Sequence, residues 1–240
     1  MEHLNPTLVN ETLEQKGYLL IEAGLSMATI QAAREWIQNH TLNGVDPLLQ
    51  PAYEQTGPES RSKPLRKIRR LAFYDPTFWS SWCREAGLTE FVNRTLGKQF
   101  ALILHASFLK PRHDGSEVVP HQDQALWDHP YPNALTIWIA LEPAHTRNGC
   151  IKLYLDSHQL GPLPHVPLSG SHWHYGVDVT NNTFHEKEME MNVGDMLMWH
   201  RYMLHGSGAN HSDKDRVGMV MVFADTSQPD FSSHDVLHLT

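Results

Sequence analysis

The stretch "VVPHQDQALWDHP", residues 118–130, places a His-x-Asp pair at the end of a short apolar run. In an extended chain, residues i and i+2 point to the same face. His121 and Asp123 can therefore present an imidazole nitrogen and a carboxylate oxygen to one cation. Taken alone, such a pair is more often the polar end of a strand, so a metal site requires a further ligand from another part of the sheet.

The chain on both sides of this stretch, from about residue 98 onward, is organised as short strands. They are β-branched or aromatic and are bounded by Gly, Pro, Asn or Asp, as strands typically are. The strands read "FALILHASFL", "ALTIWIAL", "CIKLYL", "MLMWHRYML" and "VGMVMVF". After the alternating run "KEMEMNV", Gly194-Asp195 is typical of a turn before the next strand. Several strands of this kind predict an antiparallel sandwich or barrel.

The first part of the chain, residues 1–97, predicts mainly helices. Ser26 is placed as the N-cap of a segment whose apolar residues recur with a period near 3.6. Asp75 and Pro76 have the character of an N-cap and a first helical residue, and Gly97 that of a helix stop. Before Ser26, "GYLLIEAG" indicates a short strand. We therefore expect a mainly β protein with helices packed outside one sheet.

The length of 240 residues suits one domain with a substantial core. We expect residues 1–240 to form that domain, with a helix-rich flanking part at 1–97 and a β core at 98–225. Residues 156–178 are rich in Pro, Gly and His, which predicts a long loop. Long loops in compact domains are often lids, and we expect this one to cover the site.

Charge and hydropathy exclude several classes of protein. The net charge is −8, so nucleic acid is not an expected partner. No apolar run approaches the length of a membrane span, and the first residues lack the basic and apolar segments of a secretory signal. With only Cys83 and Cys150 to oxidise, we expect a reduced, cytoplasmic protein. The sequence leaves its oligomeric state open.

One segment departs from this acidic average. Residues 61–70, "RSKPLRKIRR", hold six basic residues. The ordinary interpretation is a solvated loop and strand edge. The functional interpretation is a local site for a carboxylate or a phosphate, which planar guanidinium groups bind well.

The further ligand that His121 and Asp123 require is best supplied by His205. We expect His205 to end a strand before Gly206, with His200 on the opposite face. Two histidines and one carboxylate form the facial triad of non-haem iron(II) oxygenases, which leaves positions open for a co-substrate and dioxygen. An all-histidine or cysteine-rich set would instead favour zinc.

Such a centre needs a chelating reductant, commonly 2-oxoglutarate, whose distal carboxylate suits a bidentate cation and a hydroxyl donor. Arg216 lies eleven residues after His205, and Ser207 lies two after it. If the two strands pair as a hairpin, both side chains reach one pocket beside the metal.

From about residue 65 to residue 223, the chain resembles the phytanoyl-CoA dioxygenase family of iron(II)- and 2-oxoglutarate-dependent oxygenases. "HQD" with Trp127 after it is similar to the first metal motif of the family. "WIALEPAHTRNGCIKLYLDSH" resembles the strand–loop–strand that follows, and "GDMLMWHRYMLHGSGANHS" with Arg216 resembles the distal motif. The resemblance implies a double-stranded β-helix core, a cupin-like jelly roll, with iron at its open end.

The resemblance also assigns roles residue by residue. His121, Asp123 and His205 match the iron ligands, and Arg216 and Ser207 match the residues that hold the distal carboxylate of 2-oxoglutarate. Further residues expected near the co-substrate are Trp138, Lys67 and Gln122.

On the substrate side we expect Trp127 to form a wall of the pocket. His105 lies on an apolar strand, where it is either a histidine inside the barrel or a pocket residue. The presence of Asp123 favours hydroxylation, because related halogenases have a small residue at that position. Leu155-Asp156 stands where the family usually has Pro-Gly, so the following loop is expected to turn differently.

Other interpretations stay open at this stage. His172 and His174 are also two residues apart and could form a second metal pair, although no acid completes it. The same barrel could bind zinc or manganese as a hydrolase or isomerase, in which case Arg216 would be dispensable. It could also be a binding module without turnover. The identity of the substrate is not encoded in any motif of this sequence.

Overall fold

The computed structural model describes residues 4–53, 64–113, 116–127, 129–168, 175–181, 183–228, 231–233 and 235–239. Its helices are α1 (Pro6–Lys16), α2 (Met27–Asn39), α3 (Leu71–Tyr74), α4 (Pro76–Glu85) and α5 (Leu88–Leu96). Its strands are β1 (Tyr18–Ile21), β2 (Ala52–Tyr53), β3 (Leu65–Arg69), β4 (Phe100–Lys110), β5 (Val118–His121), β6 (Ala134–Ala140), β7 (Ile151–Tyr154), β8 (Glu186–Met189), β9 (Met196–Trp199), β10 (His205–Ser207) and β11 (Arg216–Asp225).

Helix ends follow the capping residues in the sequence. The Ser26 side chain accepts a hydrogen bond from the Thr29 backbone N–H and begins α2, as predicted. Asp75 does the same for Phe78 at the start of α4, directly before Pro76. Gly97 ends α5 with a φ of 92°, a left-handed value that glycine adopts without steric cost. The predicted helices therefore begin and end where their caps indicate.

The strands form two antiparallel sheets that pack face to face. The large sheet has the order β1-β9-β6-β11-β4-β3-β2, and the small sheet has the order β5-β10-β7-β8. One face of the large sheet packs on the helices through Trp79, Phe91 and Ile137, among others. The other face packs on the small sheet through Trp138, Leu153 and Leu197. This is the mainly β jelly roll with flanking helices that the sequence predicts, and the open space for a site lies between the sheets.

The run "MLMWHRYML" is not one strand. β9 ends at Trp199, and residues 200–204 turn away from the large sheet before β10 begins in the small sheet. The Met203 N–H donates to the His200 carbonyl within this turn. His205 therefore begins a strand and does not end one, because the chain has to cross from one sheet to the other.

The predicted hairpin between the strands of Ser207 and Arg216 is also absent from the described residues. β10 pairs with β5 and β7, whereas β11 pairs with β4 and β6 in the other sheet. The two side chains reach the same space from facing sheets.

The loop after β7 holds a short 3-10 turn at Ser157–Leu160 and a single bridge between Val166 and Gly176. Residues 169–174 of the predicted lid lie outside the described residues. Asp156 has a φ of 63°, the left-handed region that glycine favours, and aspartate is among the residues that tolerate it.

Within the part of the chain that the structure describes, no helix has the length and apolar character needed to cross a membrane.

Candidate metal centre

The two histidines of the predicted triad are placed by strand pairing. His205 on β10 lies directly opposite His121 on β5, and their ring centroids are 4.3 Å apart. Each ring bonds through Nδ1 to the carbonyl oxygen two residues earlier, Val119 for His121 and Met203 for His205, both at 2.9 Å. A carbonyl accepts only, so Nδ1 carries the proton and Nε2 presents its lone pair.

Asp123 follows β5 on a short 3-10 turn and completes the group. Its Oδ1 lies 3.6 Å from Nε2 of His205 and 4.0 Å from Nε2 of His121. Its Oδ2 accepts hydrogen bonds from Thr136 Oγ1 at 2.9 Å and from Trp199 Nε1 at 2.8 Å. One carboxylate oxygen is thus held by the large sheet, and the other faces the histidines.

Thr136 and Trp199 were not singled out by the sequence. They are paired partners on β6 and β9, so the two donors reach Asp123 together. Trp199 lies within the distal motif and Thr136 lies outside the quoted motifs, but only the strand register brings the two side chains together behind Asp123.

The donor set fits a divalent cation. The three ligand atoms of His121, Asp123 and His205 lie within 4.8 Å of one another, a spacing at which one ion can contact all of them. Burial, and then the neighbouring His205, lower the pKa of His121 to about 3, so this imidazole is neutral at pH 7 and able to bind a metal. Two imidazoles and one carboxylate on one side of an ion form a facial triad.

A cavity of about 330 Å³ opens between the sheets beside this group. The small sheet contributes His205 and Ser207 to its lining, and the large sheet contributes Arg216, Trp138 and Lys67. The structure therefore brings most of the residues predicted to contact a co-substrate around one space.

Arg216 is the most deeply buried cation of this cavity, with 1% of its surface exposed. Its Nη2 donates to the Gly149 carbonyl at 2.8 Å, and its guanidinium lies 5.4 Å from the Trp138 ring centre. Nε and Nη1 have no hydrogen-bond partner among the described residues. Burial lowers the pKa of Arg216 to about 10, so it stays charged at neutral pH. Buried donors without partners are costly, which indicates that a ligand completes them.

Lys67 lines the same cavity, with its Nζ 4.2 Å from the Phe108 ring centre. Burial is the main cause that lowers its pKa to about 7, and the positive charge of Arg69 is the next. Lys67 is therefore only partly protonated at pH 7, and Arg69 is the permanent positive charge on this wall of β3.

Gln122 lies between the two ligands of the His-x-Asp pair, but it points away from the cavity. Its amide N–H groups donate to the carbonyls of Gly161 and Tyr202, and its amide oxygen accepts from the Leu163 N–H. It ties β5 to the loop after β7 and to the turn before β10. We do not assign it to the co-substrate.

His105 is also placed away from the cavity. It lies on the helix-facing side of β4, with its ring 4.4 Å from that of Trp79 and 1% of its surface exposed. We do not assign it to the substrate pocket. Trp127 does line the cavity, and its ring lies 5.6 Å from that of Tyr131.

The alternative pair of His172 and His174 lies outside the described residues.

The sequence model described as Phytanoyl-CoA dioxygenase (PhyH) matches residues 13–218. Phytanoyl-CoA dioxygenase domain-containing protein 1 from Mus musculus is 29% identical over 164 residues, which are 64% of this chain and 55% of that protein. The chain thus spans about half the length of this curated relative.

Two solved structures share the fold at low sequence identity. One is the non-heme alpha ketoglutarate dependent carbocyclase SnoK from nogalamycin biosynthesis, with a TM-score of 0.74 and 17% identity, covering 99% of this chain and 94% of that one. The other is the epimerase SnoN in complex with Fe3+, alpha ketoglutarate and nogalamycin RO, with a TM-score of 0.69, 17% identity and coverage of 97% and 93%.

Proposed function

Because the chain belongs to the phytanoyl-CoA dioxygenase family, we propose that it is an iron(II)- and 2-oxoglutarate-dependent dioxygenase that hydroxylates a small organic substrate. The observation that carries this proposal is Arg216, a buried guanidinium with open donors in the cavity of the His-Asp-His group. A hydrolytic metal centre does not require a second, buried anion site, whereas a chelating keto acid with a distal carboxylate does. The alpha ketoglutarate dependence of SnoK and the Fe3+ and alpha ketoglutarate bound to SnoN, which share this fold, support the same assignment.

His121, Asp123 and His205 would hold iron(II) through two Nε2 atoms and Oδ1. Their lone pairs are already directed, because each Nδ1–H and the Asp123 Oδ2 are bonded elsewhere. Ligands fixed in this way lose little conformational freedom when the ion binds. All three come from one side of the site, which leaves the other side for exchangeable ligands.

Arg216 would bind the distal carboxylate of 2-oxoglutarate with the donors that the protein leaves open, and Ser207 would add a hydroxyl from the facing sheet. A buried guanidinium and a carboxylate attract strongly because little water screens them. Trp138 lies against Arg216 and fixes its direction. The backbone at Gly218 makes room for Trp138, since a Cβ at that position would collide with its ring. Lys67 would contribute positive charge on the β3 side.

When bound, iron(II) and 2-oxoglutarate supply the oxidation of a substrate by dioxygen, with release of succinate and carbon dioxide. The residues of this chain orient the reactants and keep bulk water from the centre. Apolar side chains on both sheets, among them Leu104, Ile151 and Val222, line the cavity and serve this exclusion. The loop at 156–178 would close over the substrate as a lid, and residues 1–240 would act as one catalytic domain.

The proposal is tested by titrating the iron(II)-loaded chain with 2-oxoglutarate without oxygen. Chelation by the keto acid gives a weak visible charge-transfer band. We expect this band in the wild type, and we expect Arg216→Met to weaken 2-oxoglutarate binding by about 30-fold or more, as when a buried charge loses its partner. Arg84→Met removes the same charge from an exposed position on α4 and should leave the titration unchanged.

A chain that binds iron but gives no band at saturating 2-oxoglutarate would contradict the proposal. A titration that Arg216→Met leaves unaltered would contradict the role of this residue.

A further inference from the structure

The cavity carries more positive charge than iron and 2-oxoglutarate require. Lys67, Arg69, Lys110 and Arg216 line it, and Asp123 is the one carboxylate among its described lining residues. The chain as a whole has a net charge of −8, so this concentration of cations is local. If the proposed function holds, the charges of the ion and of 2-oxoglutarate cancel, and Asp123 offsets a single cation. The cavity then retains excess positive charge.

Two of these cations have clear roles inside the protein. Arg216 bonds to Gly149 and is directed at the proposed co-substrate. The Lys110 ammonium donates to the Ser116 carbonyl at 2.9 Å and to the Gly208 carbonyl, so it joins the loops at that end of the cavity.

Arg69 differs from its basic neighbours. Arg66 donates to the Glu117 carbonyl at 2.9 Å, and Arg70 pairs with Asp235 at 2.9 Å. Arg69 is exposed, and its side chain makes no hydrogen bond or ion pair with another described residue. It lies two residues after Lys67 on β3, so both side chains point to the cavity face of the sheet.

The strand register places Arg69 relative to the metal centre. Arg69 pairs with Ala106 on β4, which pairs with Val220 on β11. Lys67, two residues earlier on β3, is level with Phe108 and Gly218. Thr136, which holds Asp123, pairs with Val222. Arg69 is therefore closer than Lys67 to the level of the metal ligands. β3 lies three strands away from β6, which carries Thr136, and this separation corresponds to roughly 14 Å across the sheet.

Apolar side chains line the cavity between Arg69 and the metal ligands. Val118 and Ile151 line it from the small sheet, and Leu126 and Trp127 line it at the turn that follows Asp123. Leu126 is 47% exposed, which leaves an apolar rim at the mouth of the cavity. Apolar walls with a few convergent polar groups are typical of sites for small ligands.

We infer that Arg69, beside Lys67, binds an anionic group of the substrate, and that the substrate is a small organic anion with an apolar body. The anionic group is a carboxylate or a phosphate ester, which share the oxygen geometry that a guanidinium recognises. The apolar body spans the distance from β3 to the metal centre. This inference rests on the proposed function for the position of the reacting carbon.

Calorimetry on the full chain loaded with iron(II) and saturating 2-oxoglutarate, without oxygen, tests it. The probes are octanoate and octyl phosphate, which contain eight carbons each, and octanamide as the uncharged match. We expect at least one anion to bind and octanamide to bind more weakly. Arg69→Gln should weaken the anion by about tenfold, as expected for a lost charge-assisted pair. Arg70→Gln removes the adjacent charge, which pairs outside the cavity, and should change binding by less than about twofold.

A preference for octanoate would identify a carboxylate, and a preference for octyl phosphate would identify a phosphate ester. The inference is overturned if neither anion binds, if octanamide binds equally well, or if Arg69→Gln leaves binding unchanged. It is also overturned if saturating 2-oxoglutarate abolishes the binding seen without it, because the probe would then occupy the co-substrate site. A wild type that fails to bind 2-oxoglutarate would instead contradict the proposed function, and titration without 2-oxoglutarate would still test Arg69.

Discussion

The two sides of the cavity are built differently. On the metal side, His121 and His205 each bond to a carbonyl two residues earlier, and Asp123 is held by Thr136 and Trp199. On the opposite side, Arg216 keeps two donors without a partner among the described residues, and Arg69 keeps all of its side-chain donors.

This difference reflects what each side has to bind. A metal ion requires ligands at fixed positions, and local hydrogen bonds fix them before the ion arrives. An organic anion brings its own acceptors, so the protein must keep donors available for it. The metal side is accordingly predicted to be sensitive to small structural changes, and the anion side to loss of charge.

The largest effect is expected for a metal ligand. Asp123→Ala removes one of three ligands and the acceptor for two donors. Loss of a group that only supports a ligand lowers metal affinity by up to about 100-fold, so loss of the ligand itself should lower iron(II) affinity by more than that. Anaerobic calorimetry with iron(II) measures this, and Asp213→Ala, at an exposed site, is the control. Unchanged iron binding by Asp123→Ala would refute the metal centre.

A smaller effect is expected for Thr136 and Trp199, the two residues that donate hydrogen bonds to the ligand Asp123. Thr136→Val keeps the shape of the side chain and removes its donor, and Trp199→Phe removes the second donor. Each should lower iron(II) affinity by about 10-fold or more. Thr41→Val, at the end of α2, removes a hydroxyl far from the site. If the two changes behind Asp123 have no more effect than this control, the metal side is not preorganised as described.

The smallest effect concerns the pH dependence of folding stability, and it comes from His105 on the helix-facing side of the large sheet. Burial lowers the pKa of His105 from 6.5 to about 3. Between these values the unfolded chain binds a proton that the folded chain does not, so His105 makes stability fall as pH drops below 6.5. His105→Phe should remove up to about 1.4 kcal/mol per pH unit of this loss. Urea unfolding at pH 7 and pH 5 measures it, and an unaltered pH dependence in the variant would contradict the assignment.

Much of the architecture could be predicted from the sequence. Ser26, Asp75 and Gly97 act locally, through the backbone within one turn, so their patterns predict the helix ends that the structure has. The separation of His121 and Asp123 likewise has a local consequence, because alternation along a strand decides their common face.

Features that depend on strand pairing could not be predicted in this way. The position of Thr136 and Trp199 behind Asp123 depends on the register of β6 and β9, which no motif records. The break after Trp199 arises because the chain changes sheets there. It moves Ser207 into the sheet that faces Arg216.

The directions of two side chains, Gln122 and His105, could have been predicted from the sequence. Gln122 lies between His121 and Asp123, so strand alternation alone directs it to the other face. His105 lies between Leu104 and Ala106 on β4, so alternation likewise directs it to the face opposite theirs. Alternation is a stronger guide at these positions than membership of a motif.

The central claim is that Arg216 binds the distal carboxylate of a keto acid held at the His-Asp-His centre. The most direct test compares 2-oxoglutarate with 2-oxobutyrate, which lacks that carboxylate, on the iron(II)-loaded wild type and on Arg216→Met. We predict that the variant loses about 30-fold or more in affinity for 2-oxoglutarate and little for 2-oxobutyrate. Equal losses for both acids, or no loss for either, would contradict it.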